Sequence, residues 1–417
     1  FTGRTSMDAQ HRAGSELIDE VERLGVRIWR NAVVWGAFGA TEIAAMIEGR
    51  QHLFAPSRII LATGAYERGV PIPGWTLPGF ITTGAAQTLM RTYRVTPGRR
   101  VLIAGNGPLN FQVAADLVAA GVKVAALVET ARAPGLANGA DFVRALVASP
   151  GLIGQGMSYL RQLRRAGVPI RYGSAIVSAC GNASVSEASV AMIDWRGQAI
   201  AGTSERFEAD AICVGYGFLA SNELARALGC EHFYRTSDAS LVAKTDADGL
   251  STASGIYLVG DGASIGGADA AQAQGFIAGC AAARSLGRTI PSGVERALSG
   301  ARHALSRHRA FQAALWRIFS APLLSTNLAS EETVICRCES VSLGSVRQAL
   351  SEGCATIGSI KRRTRLGMGR CQGRYCVSLA VAELEGQGRA IDESLLLAPR
   401  APGKPVTVGE LAAKPTA

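Results

Sequence analysis

Four cysteines near the C-terminus constrain this chain more than any other feature. Cys336 and Cys338 lie in VICRCE, Cys371 and Cys376 in MGRCQGRYC, with 32 residues between the pairs. The C-x-C…C-x4-C frame offers four soft thiolates, the ligands that hold zinc or an iron–sulfur cluster. The pairs are too close in sequence for a disulfide scaffold, and the sequence shows no secretion signal pattern. Zinc held by four thiolates usually uses C-x2–4-C pairs, so a C-x-C beside a C-x4-C points to iron and sulfide, with zinc as the alternative. Iron would make the chain a one-electron carrier, fed by whatever the remaining residues hold.

At 417 residues there is room for two or three domains. The 49 glycines, 48% hydrophobic and 18% charged residues describe an α/β nucleotide-binding chain rather than a disordered one. No run of about 18 apolar residues occurs; the most apolar stretch, 111–128, is broken by Asp116 and Lys123 and reads as helix then strand. The net charge of +10 is scattered and accompanies no nucleic-acid-binding motif. One basic run, 361–365, falls inside the cysteine frame. It reads as a solvated face, or functionally as a docking patch or a positive field favouring a reduced cluster. The other five cysteines, Cys180, Cys213, Cys230, Cys280 and Cys354, lie singly, behave as small hydrophobes and receive no role. Nine cysteines without a signal pattern imply a reducing compartment.

Along the chain, 15–24 reads as a helix and 26–29 as a strand. Residues 33–38, 42–49 and 51–55 read as an antiparallel meander, and 57–64 as a buried strand. A strand, glycine turn, helix and strand fill 99–130. A helix near 156–166, a strand at 168–176, a turn at 194–197 and a buried strand at 209–218 follow. Strand, glycine turn and small-residue helix recur over 255–287, then an amphipathic helix or two over 294–319. The cysteine module carries helices at 342–352 and 376–386, and in the largely extended tail 406–411 is placed to pack.

Two glycine turns carry the nucleotide chemistry. Gly105-Asn106-Gly107-Pro108-Leu109-Asn110 follows a strand and opens a helix, the context a dinucleotide fingerprint needs. The glycines let backbone approach a pyrophosphate at the helix N-terminus. Asn110 replaces the third glycine, which predicts looser helix–strand packing. Glu129 ends the next strand, where a carboxylate accepts ribose hydroxyls; it favours NAD or ATP over NADP, against a vestigial unit kept for its fold. In the second turn, Gly260-Asp261 can accept from a ribityl or ribose hydroxyl. The helix start at Gly266-Gly267 can face a flavin pyrimidine edge. Thr63-Gly64 would pass the adenine side of the same cofactor.

With these motifs, IILATGAYERGVPIPGWTLPG, GNGPLN and GIYLVGDGASIGGA, the chain resembles a two-dinucleotide-domain flavoprotein of the glutathione-reductase superfamily. VICRCE…CQGRYC and KPVTVGELA narrow the resemblance to the α (A) subunits of opine and hydroxyproline/proline dehydrogenase complexes and to the hydrogen cyanide synthase B subunit. The resemblance implies an α/β fold of two Rossmann-like domains plus a small helical module of the bacterioferritin-associated-ferredoxin type. The expected division is 1–96 for the first part of the FAD domain, lacking its N-terminal βαβ unit, 97–220 for an NAD-like domain, and 221–320 for the second FAD part with a helical extension. A linker at 321–332, the [2Fe–2S] domain at 333–398 and an extended tail at 399–417 complete it.

It further implies FAD at Thr63, Gly64, Gly260 and Asp261, a second nucleotide, NAD or ATP, at Gly105, Gly107 and Glu129, and a [2Fe–2S] cluster on Cys336, Cys338, Cys371 and Cys376. A βαβ unit needs at least about 30 residues, so an N-terminal piece is expected to be missing and FAD to be held weakly by this chain alone. The implied activity is that of an electron-transfer subunit. A partner β subunit with its own FAD oxidises a C–N bond, and electrons pass through flavin and cluster to a quinone-like acceptor. A small ferredoxin-like subunit is a further implied partner, and the setting is cytoplasmic, with peripheral contact to the respiratory chain. Two alternatives stand: a self-contained NAD(P)H-dependent FAD/[2Fe–2S] oxidoreductase, and a non-catalytic nucleotide-binding assembly subunit. His232, His303 and His308 are single and partnerless in sequence, so no catalytic residue is named. No C-x-x-C lies outside the frame, which leaves a disulfide reductase without support.

Overall fold

A computed structural model describes residues 9–39 and 41–412. Helix α1 (Ala9–Arg23) precedes an antiparallel three-stranded sheet, β1 (Val33–Phe38), β2 (Glu42–Ile47) and β3 (Arg50–Phe54), in the order β1-β2-β3. The meander read from alternation is therefore present. Residues 26–29 form no strand: Trp29 is exposed and its ring packs, tilted, against His52 and Phe54 at the sheet edge instead. Strand β4 (Ile59–Leu61) and β5 (Ala65–Glu67) follow.

The middle of the chain builds a fully parallel sheet. Its strands are β6 (Phe80–Thr82), β7 (Arg100–Gly105), β8 (Lys123–Glu129), β9 (Ile170–Tyr172) and β13 (Ala211–Gly215), in the order β6-β13-β7-β8-β9. Side chains alternate across a strand, so each face of this sheet needs its own apolar cover. On one face Leu102, Ala104, Val128 and Ile212 pack beneath the antiparallel strands β10 (Ser174–Cys180), β11 (Glu187–Met192) and β12 (Glu205–Glu208). On the other, Val101, Ile103 and Leu127 meet Phe111, Val113 and Leu117 of α3 (Pro108–Ala119) and Leu163 of α5 (Pro150–Arg165). Helices α2 (Thr83–Thr88) and α4 (Gly139–Ala148) complete this unit; α4, which the apolar pattern did not separate, precedes α5 by one residue.

The chain then returns to its opening part. Strand β14 (Phe218–Ala220) pairs antiparallel with β5, and α6 (Glu223–Ala227) and the hairpin β15 (His232–Arg235)–β16 (Ser240–Ala243) follow. Strand β17 (Ile256–Leu258) pairs parallel with β4, aligning Ile256 with Ile59 and Leu258 with Leu61. Helix α7 (Ala268–Ser285) and the 27-residue α8 (Ser292–Ile318) complete the helical extension. The cysteine module holds the short hairpin β18 (Val334–Cys336)–β19 (Val341–Ser342) and helices α9 (Leu343–Ser351), α10 (Ile357–Thr364) and α11 (Cys376–Gly386). Its core of Ile335, Leu343, Val346, Ile357, Ile360, Leu379 and Leu384 forms its own cluster, against which Tyr234 of β15 packs. The basic run 361–365 closes α10, where a helix C-terminus favours cations. In the tail, α12 (Val408–Ala412) is exposed, but Val406 packs on Trp35, Ala44 and Met46.

Strands β7 and β13 approach so closely at their C-terminal ends that a Cβ on Gly105 would lie 2.0 Å from the Gly215 carbonyl oxygen. Gly105→Ala is expected to lower stability by about 3 kcal/mol or more, read as a lower thermal unfolding midpoint with unchanged composition of the folded state by far-UV circular dichroism.

Candidate functional site

The cysteine module places its four thiols in two pairs. Cys336, at the end of β18, meets Cys376, the first residue of α11; Cys338 meets Cys371. Cys371 and Cys376 also feel one another's charge. The segment 366–375 wraps around them, and Gly369 lies so close that a Cβ there would sit 2.2 Å from the Cys338 Cβ. Interaction with the Cys376 thiol, aided by the amides of Gly367, Glu339 and Cys338, brings Cys336 down to about 6. The same contact pushes Cys376 up, and burial pushes Cys371 up. A neighbouring thiol and backbone N–H groups thus favour the Cys336 thiolate, the deprotonated form in which cysteine ligates a metal. Among the described residues no three His, Cys, Asp or Glu converge on a single ion. Two thiol pairs instead fit a centre in which two irons each take two thiolates. The donor set fits a [2Fe–2S] cluster.

The flavin-type elements converge at the C-terminal ends of the paired strands β4 and β17. The Thr63 hydroxyl donates to the Ser221 carbonyl at 2.6 Å, and the Ser221 N–H donates to the Gly64 carbonyl at 2.9 Å. Gly262 sits against them: a Cβ there would be 2.5 Å from the Thr63 hydroxyl. Asp261 accepts from the N–H groups of Gly266 and Gly267 at 2.8 and 2.9 Å through one oxygen. Those amides are the ones expected to face a pyrimidine edge; here they are taken by Asp261, which fixes the loop before α7. This glycine cradle, with a partly exposed carboxylate, fits a sugar–phosphate chain lying along it.

The central turn is built differently. Glu129 is fully buried. One of its oxygens accepts from Asn106 Nδ2 and the Ala131 N–H, both at 2.9 Å, and the other from the Gly107 N–H at 2.9 Å. Burial, opposed by these donors, pushes it up to about 7. Asn110 does not loosen the packing as its size predicts: it is buried, accepts from the Thr83 hydroxyl and donates to the Gly215 carbonyl, both at 2.9 Å. A polar clamp does there what a third glycine's close approach does elsewhere.

Comparison with known proteins decides the family. Residues 32–275 match the model for pyridine nucleotide-disulphide oxidoreductases, and residues 334–384 the BFD-like [2Fe-2S] binding domain. The chain belongs to the pyridine nucleotide-disulphide oxidoreductase family. It is 37% identical over 329 residues to hydrogen cyanide synthase subunit HcnB of Pseudomonas aeruginosa, covering 79% of this chain and 70% of that one. It is 31% identical over 383 residues to the opine oxidase A subunit of Agrobacterium tumefaciens, covering 89% and 73%. In fold it is similar to L-proline dehydrogenase from P. horikoshii, with a TM-score of 0.62 at 20% identity over 95% of this chain and 68% of that one. The resemblance read from the motifs therefore holds, as do the α/β fold class and the FAD and [2Fe–2S] cofactors. This family member is a flavin oxidoreductase subunit with a [2Fe–2S] domain, and no helix among its described residues is long and apolar enough to cross a membrane.

The structure also shows contacts that spacing could not reveal. Tyr66, two residues beyond Gly64, meets Tyr375, the neighbour of Cys376, edge to face at 5.4 Å between ring centres. Arg374 forms an ion pair with Glu223 at 2.8 Å, and Arg226 one with Glu393 at 2.9 Å. Trp75 donates to the Val334 carbonyl at 2.7 Å beneath the Arg337 guanidinium. In this family member the cysteine module is thus seated on the flavin-type elements. Only the aromatic residue beside Cys376 hinted at this in the sequence.

Two measurements follow. Cys376→Ser should abolish the visible absorption and acid-labile sulfide of the cluster while leaving flavin content intact. For Glu129 the folded carboxyl holds its proton more tightly than the unfolded one at about 4.3. Its contribution to stability is therefore greatest below that pH, falls as pH rises towards about 7, and is level above. The stability of the wild type relative to Glu129→Gln, measured by denaturant unfolding, should decline across that window; a flat or rising difference contradicts the assignment.

Proposed function

We propose that this chain is the electron-transfer flavoprotein subunit of a multi-subunit dehydrogenase. A partner subunit with its own FAD oxidises the C–N bond of an amino acid or opine, and the electrons leave through this chain to a quinone-like acceptor. The reading takes the flavin site at Thr63, Gly64, Gly260 and Asp261, and the cluster ligands at Cys336, Cys338, Cys371 and Cys376. It takes the division into interrupted FAD domain, central domain and [2Fe–2S] domain as set out above, and a cytoplasmic setting with peripheral contact to the respiratory chain.

FAD supplies acceptance of an electron pair with release of single electrons, and the cluster takes them one at a time. What this chain's residues do is hold the two close. The observation that carries the proposal is the Tyr66–Tyr375 contact, which links the strand beyond Gly64 to the cysteine loop through two packed rings. Arg374 sets that loop: its guanidinium donates to the Cys371 carbonyl at 3.1 Å and to the Gly403 carbonyl at 2.9 Å while pairing with Glu223. Burial pushes the Tyr66 phenol upward, so it stays neutral against Tyr375. The naming of relatives as subunits of hydrogen cyanide synthase and opine oxidase supports a heteromeric assembly.

Co-purification with the products of neighbouring genes, followed by anaerobic addition of glycine, proline, hydroxyproline or an opine, is the test. One of these amines should produce the electron paramagnetic resonance signal of a reduced [2Fe–2S] centre, and Tyr375→Leu should slow its appearance at unchanged iron and flavin content. A cluster reduced by NADH and by none of the amines overturns the proposal.

A further inference from the structure

A pyridine nucleotide is implied by the family to which this chain belongs, and the central glycine turn is where it would bind. A dinucleotide at such a turn needs three things: a carboxylate at the end of the second strand open to ribose hydroxyls, free N–H groups in the turn for the pyrophosphate, and open space above the helix N-terminus. Here the carboxylate, the Gly107 amide and the space over the turn are already taken. Glu129 is fully buried with both oxygens engaged. The Gly107 N–H, the amide a pyrophosphate would take, donates to Glu129. Pro108 at the first helical position brings no N–H of its own. The Trp316 ring lies over the turn, 3.3 Å from where a Cβ of Gly107 would be.

The closing element is α8. Asn106 Nδ2, besides bonding Glu129, donates at 3.0 Å to the carbonyl of Phe319, the residue that caps the C-terminus of α8. Carbonyls at a helix C-terminus lack partners within the helix and form its negative pole, whereas the N-terminus of α3 is a positive one. The end of α8 is therefore placed where an anion would otherwise go. The helix is held along its length: Phe311 and Ala314 are buried against Ala145 of α4, Arg317 pairs with Asp141 at 2.7 Å, and Phe319 packs edge to face on Phe111 of α3.

We infer that the central dinucleotide socket of this chain is closed from within: the Glu129 carboxyl fills it and α8 covers it, and the socket serves as the joint that anchors the linker to the cysteine module, not as a nucleotide site. The residues of the turn do not fit NAD, NADP or ATP. A nicotinamide nucleotide is then not the electron source, and the fingerprint glycines are kept for the close approach of backbone to the Glu129 carboxylate.

The test uses the purified complex with its FAD and cluster in place. NADH, NADPH, ATP and ADP-ribose are each titrated by isothermal calorimetry, and the Gly105–Asn110 amides are followed by hydrogen exchange. The expected results are no saturable binding tighter than about 1 mM, slow exchange at the turn without any nucleotide, and no change in that exchange when one is added. Denatured complex should release no adenine nucleotide other than FAD. Trp316→Ala, an exposed-edge substitution away from the flavin and cluster residues, should speed exchange at the turn and leave the bleaching of flavin by the amine substrate intact. Micromolar binding of any of the four, protection of the turn by one of them, or stoichiometric release of NAD or ATP overturns the inference. Unaltered exchange in Trp316→Ala overturns the assignment of α8 as the cover.

Discussion

The Arg374 guanidinium is the fixture on which the arrangement of cofactors depends. It stands within the loop between Cys371 and Cys376, and from there it reaches Glu223 at the start of α6, the carbonyl of Cys371, and the carbonyl of Gly403 in the tail. Its Nε meets the Glu223 carboxylate at 2.8 Å as an ion pair without hydrogen-bond alignment. Removing two charges from water costs several kcal/mol, which such a pair only partly repays. A hydrophobic contact would hold two surfaces together as firmly. What the planar, multiply bonded guanidinium adds is one orientation of the cysteine loop with respect to the strand that carries Tyr66.

The two glycine turns show how one local plan diverges. Both place a strand end, a glycine-rich bend and a helix in sequence, and both carry an acid. Asp261 spends one oxygen on its own loop and is itself partly exposed. Glu129, one strand further from its turn, folds back under it and spends both. The difference arises from cover: the Trp316 ring and the Phe319 carbonyl at the end of α8 close over the central turn, whereas α8 meets the flavin-type turn at the start of α7, through Gln312 beside Gly267 and His308 beside Asp269. Burial accounts for the upward displacement of the Glu129 carboxyl.

Much of this was legible in the chain itself. The cysteine spacing named a soft-metal site, and the glycine turns named the strand–helix junctions, because these depend on residues a few positions apart. The meander of β1–β3 was equally plain from alternation. What stayed hidden depends on distant partners. Residues 26–29 have the apolar content of a strand, yet they meet the edge strand β3 through the Trp29 ring and not through a backbone ladder. Lys361–Arg363 read as solvent-facing charge, and the helix beneath them rests on Ile357 and Ile360, two residues too few to give a period. The spacing of Glu129 from its glycines is right for a ribose acceptor, and no feature of residues 99–130 reveals that Trp316 and Phe319 arrive from nearly two hundred positions later.

Burial across the thiol quartet is uneven. Cys336 and Cys376 are enclosed by the module's core, Cys371 is half covered, and Cys338 is exposed. Oxidative damage to sulfur follows accessibility, so air and chelators attack a bound cluster from the Cys338 corner.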